Sequence, residues 1–244
     1  MGKLHHKIIV VTGAGDGIGK ATSLTYAKEG ADVVLVGRTR SKLERVNDEI
    51  RRTTQTDPTI VPFDLKNLDD TTADEFRERF ENQFERIDGL LHNASVLGPK
   101  VPIETYPTDA WLDVMQVNVT APFLLTKALL PLLKKPTYAS IVFTSSGVGL
   151  KGRAYWGAYA VSKFATEGMT EVLADELADT TGIRVNSLNP GGTRTSMRAS
   201  AFPAEDPMSL PTPEDHMPLY VYLMSDESIG VVGQKFNPSS WQPD

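Results

Sequence analysis

Short apolar runs rich in β-branched residues alternate with longer mixed stretches along most of this chain. Ile8–Thr12, Asp32–Gly37, Thr59–Asp64, Gly89–Asn93, Ser140–Ser145 and Arg184–Asn189 have the continuous hydrophobic character of strands buried on both faces of a parallel sheet. The stretches between them carry helical spacing. Ile18–Glu29 stops at Gly30, Ser41–Thr54 opens with Ser41 and Glu44 in a capping pattern, and Thr71–Phe84, Trp111–Leu133 and Phe164–Asp179 complete the helices. Such alternation predicts right-handed βαβ units and an α/β fold with helices on both faces of a doubly wound sheet.

One segment breaks the pattern. Arg198–Pro218 carries Pro203, Pro207, Pro211, Pro213 and Pro218, which exclude a single regular element. It reads either as an irregular surface excursion or as a flap over a substrate, evenly weighed on composition; the flap is the working assignment for about 198–218. No repeat, low-complexity tract or linker marks a second domain, so residues 1–244 are expected to form one.

The first strand runs into Thr12-Gly13-Ala14-Gly15-Asp16-Gly17-Ile18-Gly19 and then into a helix. Glycines let the backbone approach a pyrophosphate closely, and the helix start offers free N–H groups and a positive dipole end. This strand–loop–helix context makes the glycines a dinucleotide fingerprint. The fold prediction sharpens to a single Rossmann-type domain with a mostly parallel sheet of about seven strands. After the second strand stands Val36-Gly37-Arg38-Thr39-Arg40, with no acid to bind a ribose 2′-hydroxyl. Arg38 offers a multi-donor fork to a 2′-phosphate, so NADP(H) is preferred, with NAD(H) possible.

Tyr159 and Lys163 stand four residues apart in a helical stretch, which puts phenol and ammonium on one face. A phenol with a reference pKa of about 10 is a poor acid–base group at neutral pH, and a fixed cation beside it favours the phenolate. Ser146, thirteen residues upstream of Tyr159 in a strand-end loop, is the third candidate. Ser145 and Tyr155 are rivals, disfavoured by interval and by the lack of a lysine four residues on.

Charge then narrows the partners. A net charge of −6 and a pI near 5.3 argue against a general nucleic-acid or anionic-membrane binder, though not against a local phosphate pocket. There is no cysteine, hence no disulfide or thiolate site. His5 and His6 lack a third ligand nearby, so no metal is expected. The leading apolar run is too short for a signal peptide and no later one is expected to reach membrane length, which points to the cytoplasm.

With these motifs in place the chain resembles the short-chain dehydrogenase/reductase family from about Lys7 to about Gly233, and within it is especially similar to the bacterial YciK-like oxidoreductases. Long runs carry the likeness: Phe143–Ser146, Trp156–Tyr159, Ser162–Met169, Asn189–Thr195 and Met197–Pro203. The resemblance implies that Asp64, followed by Leu65, contacts the adenine, and that Asn93-Ala94 lies against the cofactor. Pro190 and Gly191, with Thr193 and Thr195, would hold the nicotinamide carboxamide. It implies catalysis by Asn118, Ser146, Tyr159 and Lys163: Ser146 on the substrate oxygen, Tyr159 as general acid/base, Lys163 on the ribose and biasing Tyr159 towards phenolate, Asn118 positioning a water. The implied activity is hydride transfer between nicotinamide and a small carbonyl or alcohol, in a homodimer or homotetramer. A cofactor-sensing protein on the same fold is the alternative, and a short-lived-oxidation epimerase or dehydratase is a third. The departures are His92 for the family's first asparagine, Ser95 for its glycine, and Gly233–Pro238 for its usual Asp-Gly-Gly ending.

Overall fold

All six apolar runs form strands, every one parallel to its neighbours. The computed structural model describes residues 2–242. The strands are β1 (Ile8–Thr12), β2 (Asp32–Gly37), β3 (Thr59–Pro62), β4 (Gly89–His92), β5 (Ala139–Thr144), β6 (Ile183–Leu188) and β7 (Lys235–Phe236). Their order is β3-β2-β1-β4-β5-β6-β7. The winding reverses between β1 and β4, paired through Ile9↔Gly89 and Val11↔Leu91, which opens a crevice at the carboxyl ends of these strands.

The helices are α1 (Gly17–Lys28), α2 (Arg40–Thr53), α3 (Asp70–Gln83), α4 (Thr108–Met115), α5 (Ala121–Leu133), α6 (Gly157–Ala178), α7 (Ser196–Ala201) and α8 (Met217–Met224). Alternate strand residues point to opposite faces, so both layers of helices need apolar partners. Val10, Leu90 and Ile141 pack with Phe76, Phe80, Leu125 and Leu129 on one face. Ile9, Val11, Leu91 and Val142 pack with Tyr26, Ile50, Leu219 and Tyr220 on the other. This two-sided burial is why the strands read as unbroken hydrophobic runs.

Several local expectations change. The Ser41–Glu44 cap is not made: α2 begins one residue earlier, and its N-cap, Thr39, makes no side-chain cap bond. Asp69 and Thr72 instead form a reciprocal capping box on α3. α6 begins at Gly157, so it includes both Tyr159 and Lys163.

The predicted Trp111–Leu133 helix starts at Thr108 and is broken by a wide turn over Gln116–Thr120. Pro122 explains the break, because it has no N–H to give the Asn118 carbonyl four residues earlier and its ring crowds that carbonyl. The 26-residue stretch Thr108–Leu133 is long and apolar enough to cross a bilayer by composition, which corrects the expectation that none is. Its most apolar window is 61% buried inside the protein, as a core helix would be.

The proline-rich segment becomes α7, two single turns at Pro207–Ser209 and Pro213–His216, and the start of α8. Arginines staple it. Arg194 donates to the carbonyls of Pro207 (2.8 Å) and Leu210 (3.1 Å), and Arg198 pairs with Glu205 at 2.6 Å through two parallel bonds.

Candidate active site

The crevice is a cleft of about 830 Å³. Its wall includes Gly13, Gly15, Asp16, Gly17, Ile18, Arg38, Asp64, Leu65, Asn93, Ala94, Ser146, Tyr159, Lys163, Pro190, Gly191, Thr193 and Thr195. Gly19 and Asn118, also expected at the site, lie behind that wall. A Cβ on Gly19 would collide with the Gly13 carbonyl, so its bareness closes α1 onto the loop. Gly13 (φ 68°) and Gly17 (φ 48°) adopt backbone that side chains resist.

Thr12 organises the loop from behind. Its hydroxyl donates to Leu91 O and accepts from the backbone N–H groups of Asn93 (3.0 Å) and Ala94 (3.1 Å). Asn93 Nδ2 returns a bond to Thr12 O at 3.2 Å. β1 and the segment after β4 are thereby locked together beside the cleft.

At the β2 end, Arg38 makes no ion pair among the described residues. Lys42, one turn into α2, also lines the wall and pairs with Asp16 at 2.6 Å. That ammonium holds the Asp16 carboxyl below the usual carboxylate range. Lys42 escaped the sequence reading; its only signal was the four-residue spacing from Arg38. Asp64 accepts from Lys66 N at 3.1 Å, capping the turn after β3.

Ser146, two residues past β5, has extended backbone, and the turn Gly147–Gly149 follows. A Cβ on Gly149 would sit 2.7 Å from the Lys163 carbonyl, so this glycine lets the serine turn pack directly on α6. Tyr159 and Lys163 are buried, 8% and 4% exposed. Burial raises the Tyr159 phenol above its usual value, with the Ser146 hydroxyl pulling the other way. Burial also lowers the Lys163 ammonium to about 8, opposed by Glu167 one turn on. The ammonium donates to Thr144 O at 2.8 Å and lies 5.5 Å from the Tyr159 ring centre. Burial therefore leaves the phenol raised in the cofactor-free protein, with the Ser146 hydroxyl as the group that opposes it.

Asn118 sits in the wide turn, 4% exposed. Its Oδ1 accepts from Val96 N (2.8 Å), and its Nδ2 donates to Val96 O (3.0 Å) and Ser162 Oγ (3.0 Å). The side chain is committed to Val96 and Ser162 below the cleft, so any water held here would be bonded to its main chain. Tyr155 is 59% exposed and absent from the wall, whereas Trp156 lines it.

The family profile described as short chain dehydrogenase matches residues 7–206. This chain is a short-chain dehydrogenase/reductase. It is 52% identical over 234 residues to the uncharacterized oxidoreductase YciK of Escherichia coli, covering 96% of this chain and 92% of that one. Among solved structures, a short chain dehydrogenase of Shigella flexneri complexed with NADP superposes with TM-score 0.94 at 50% identity, covering 98% and 100% of the two chains. One from Escherichia coli complexed with NADPH superposes with TM-score 0.93 at 51% identity, covering 99% of each.

Two of the departures from the short-chain dehydrogenase/reductase pattern, His92 and Ser95, now have a physical account. His92 is a core residue: its Nε2 bonds Thr126 Oγ1 at 2.8 Å and its ring stacks on Phe143 at 4.7 Å. Burial lowers its pKa to about 3, so it is neutral at physiological pH. Ser95 lines the cleft, and its buried hydroxyl has no protein partner; Ser145 does the same. Two buried hydroxyls without a protein partner, on residues of the cleft wall, fit a site built to take a polar ligand such as a dinucleotide.

Proposed function

We propose that the protein is an NADP(H)-dependent oxidoreductase acting on a carbonyl or alcohol carbon, with Tyr159 as general acid/base. The observation that carries this reading is the meeting of Ser146, Tyr159 and Lys163 in the same cleft whose other end presents Arg38 and Lys42. The relatives bound to NADP and NADPH support the cofactor.

A nicotinamide dinucleotide supplies hydride chemistry when bound; the chain's own residues do the rest. The glycine loop and the start of α1 hold the pyrophosphate, and Arg38 holds the 2′-phosphate with Lys42 beside it. Thr193 and Thr195 bond the carboxamide. Ser146 donates to the substrate oxygen and steadies the charge developing there. Tyr159 gives that oxygen its proton in reduction and takes it back in oxidation; its raised pKa suits the acid role. Lys163 binds ribose hydroxyls and passes a proton onward. The Asn118 carbonyl, deprived of its α-helical donor by Pro122, accepts from a water on that route.

Leu112, Phe123, Val161, Phe164 and Val172 are exposed large apolar residues on α4, α5 and α6, which supports a homodimer or homotetramer built on these helices. The lack of cysteine supports a cytoplasmic location.

The test is titration of NADPH and NADH by fluorescence, followed by a carbonyl panel read as NADPH absorbance loss. Tight NADPH binding with turnover is expected. Equal affinity for the two cofactors would overturn the NADP preference, and binding without turnover on the panel would favour a cofactor sensor.

A further inference from the structure

Beyond Tyr159, cations gather around two aromatic rings, one of which lines the cleft. Trp156 lines the wall with its ring centre 5.8 Å from that of Tyr159, and Phe202, next after α7, lies 5.6 Å from Trp156. Lys100 Nζ sits 4.8 Å from the Trp156 ring centre and 4.5 Å from that of Phe202. Arg153 approaches the same two rings at 6.0 and 5.7 Å, and Arg198 covers Phe202 at 3.8 Å. The three cations come from three separate segments: the loop after β4, the loop before α6, and α7.

A single carboxylate answers them. Glu205 pairs with Arg198 at 2.6 Å, while Lys100 and Arg153 form no ion pair among the described residues. Lys100 spends one of its three donors on Ala201 O at 2.6 Å, and the Arg153 guanidinium makes no hydrogen bond among the described residues. The rings fix the positions of both cations without neutralising them. In a chain of net charge −6, two uncommitted cations steered to the active-site mouth form a local attractor for an anion.

We infer that the substrate carries a terminal anionic group, carboxylate or phosphate, held by Lys100 and Arg153, with an apolar spacer lying along Trp156 between that group and the reacting carbonyl. The inference rests on the reading of Tyr159 as the group that faces the carbonyl. Trp156 neighbours both Tyr159 and the two cations, which sets the spacer at about the width of one aromatic ring. Met197 and Phe202 add apolar surface beside it.

Para-acetylbenzoate, its methyl ester and para-acetylphenyl phosphate place a ketone and an anion, or its neutral counterpart, across one ring. Calorimetric titration of each into the NADP+-loaded protein tests the inference without requiring turnover. At least one anion is expected to bind about tenfold more tightly than the ester, with the tighter of the two identifying carboxylate or phosphate as the recognised source. In Lys100→Met and Arg153→Met that preference should shrink several-fold each, and in the double variant it should fall to within about twofold. Both side chains are exposed, and retained NADPH binding verifies that the variants are folded. No preference for either anion over the ester, or a preference untouched in the double variant, would overturn the inference. Failure of the wild-type protein to bind NADPH would instead overturn the cofactor reading.

Discussion

Replacing Lys163 by Met should stabilise the cofactor-free protein at neutral pH. The ammonium is 4% exposed, and burial lowers its pKa from 10.5 to about 8. A displacement of this size corresponds to about 3 kcal/mol of destabilisation while the group is charged in both folded and unfolded states. Methionine keeps the length and apolar stem but loses the bond to Thr144 O, which offsets about 1 kcal/mol. The variant should therefore be more stable by about 2 kcal/mol at pH 7, or roughly 4–8 °C in Tm for a chain of this size. The sign of the pH dependence follows from the folded value lying below the unfolded one. Between about pH 8 and 10.5 the unfolded chain holds the proton and the folded chain has released it, so wild-type stability rises relative to the variant. Above pH 10.5 the wild type should be the more stable, by the retained hydrogen bond alone. Urea unfolding of both proteins without cofactor, at equal protomer concentration from pH 7 to 10.5, measures the difference. A difference independent of pH, or a variant less stable at pH 7, refutes the reasoning.

Tyr159→Phe keeps the ring and its packing against Trp156, so turnover should fall roughly a hundredfold or more while NADPH affinity and Tm stay near wild type; wild-type turnover would end the proton-transfer role. Arg38→Ala should weaken NADPH binding by roughly tenfold or more and leave NADH binding unchanged, and unaltered NADPH affinity would remove Arg38 from the phosphate site. His92 has a folded pKa of about 3 against 6.5 unfolded, so its contribution is intact above pH 6.5 and is lost as pH falls towards 3. His92→Asn should accordingly flatten the acid limb of the stability–pH curve by up to one proton, read by urea unfolding between pH 7 and 4; parallel curves would show that His92 is not held neutral.

The glycine loop, the six long strands and the Ser146–Tyr159–Lys163 spacing were legible because each is local: a run, a trio or an interval along the chain. What was missed depends on partners distant in sequence. Lys42 belongs to the cleft because it reaches Asp16, 26 residues away. Lys163 turns to a carbonyl of β5, which no helical spacing can reveal. β7 is two residues long and becomes a strand only by pairing Lys235 with Ser187 and Phe236 with Leu188. The wide turn at Asn118 was half legible, since Pro122 stands in the sequence four residues on. The Ser41 cap failed for a local reason: Thr39 lies at the strand exit and starts the helix first.

The chain's net acidity says little about what its cleft attracts. Three carboxylates line the wall, and each is already engaged: Asp16 by Lys42, Asp64 by Lys66 N, and Asp113 by Lys66 Nζ at 2.7 Å. The cationic side has more to spare. Among the described residues, Arg38 is unpaired at one end, Lys100 and Arg153 form no ion pair beside the Trp156 wall at the other, and Lys163 in the middle is bonded only to a neutral carbonyl. Between the ends lie hydroxyls, those of Ser95, Ser145, Ser146 and Tyr159, which take or give protons without adding charge. Such a wall is selective by subtraction, because the ion-paired acids Asp16 and Asp113 screen the free cations less and a low-dielectric crevice focuses what field remains. An overall charge of −6 therefore disfavours polyanions at large. The same surface admits a small anion wherever a carboxylate has been neutralised and a cation has not.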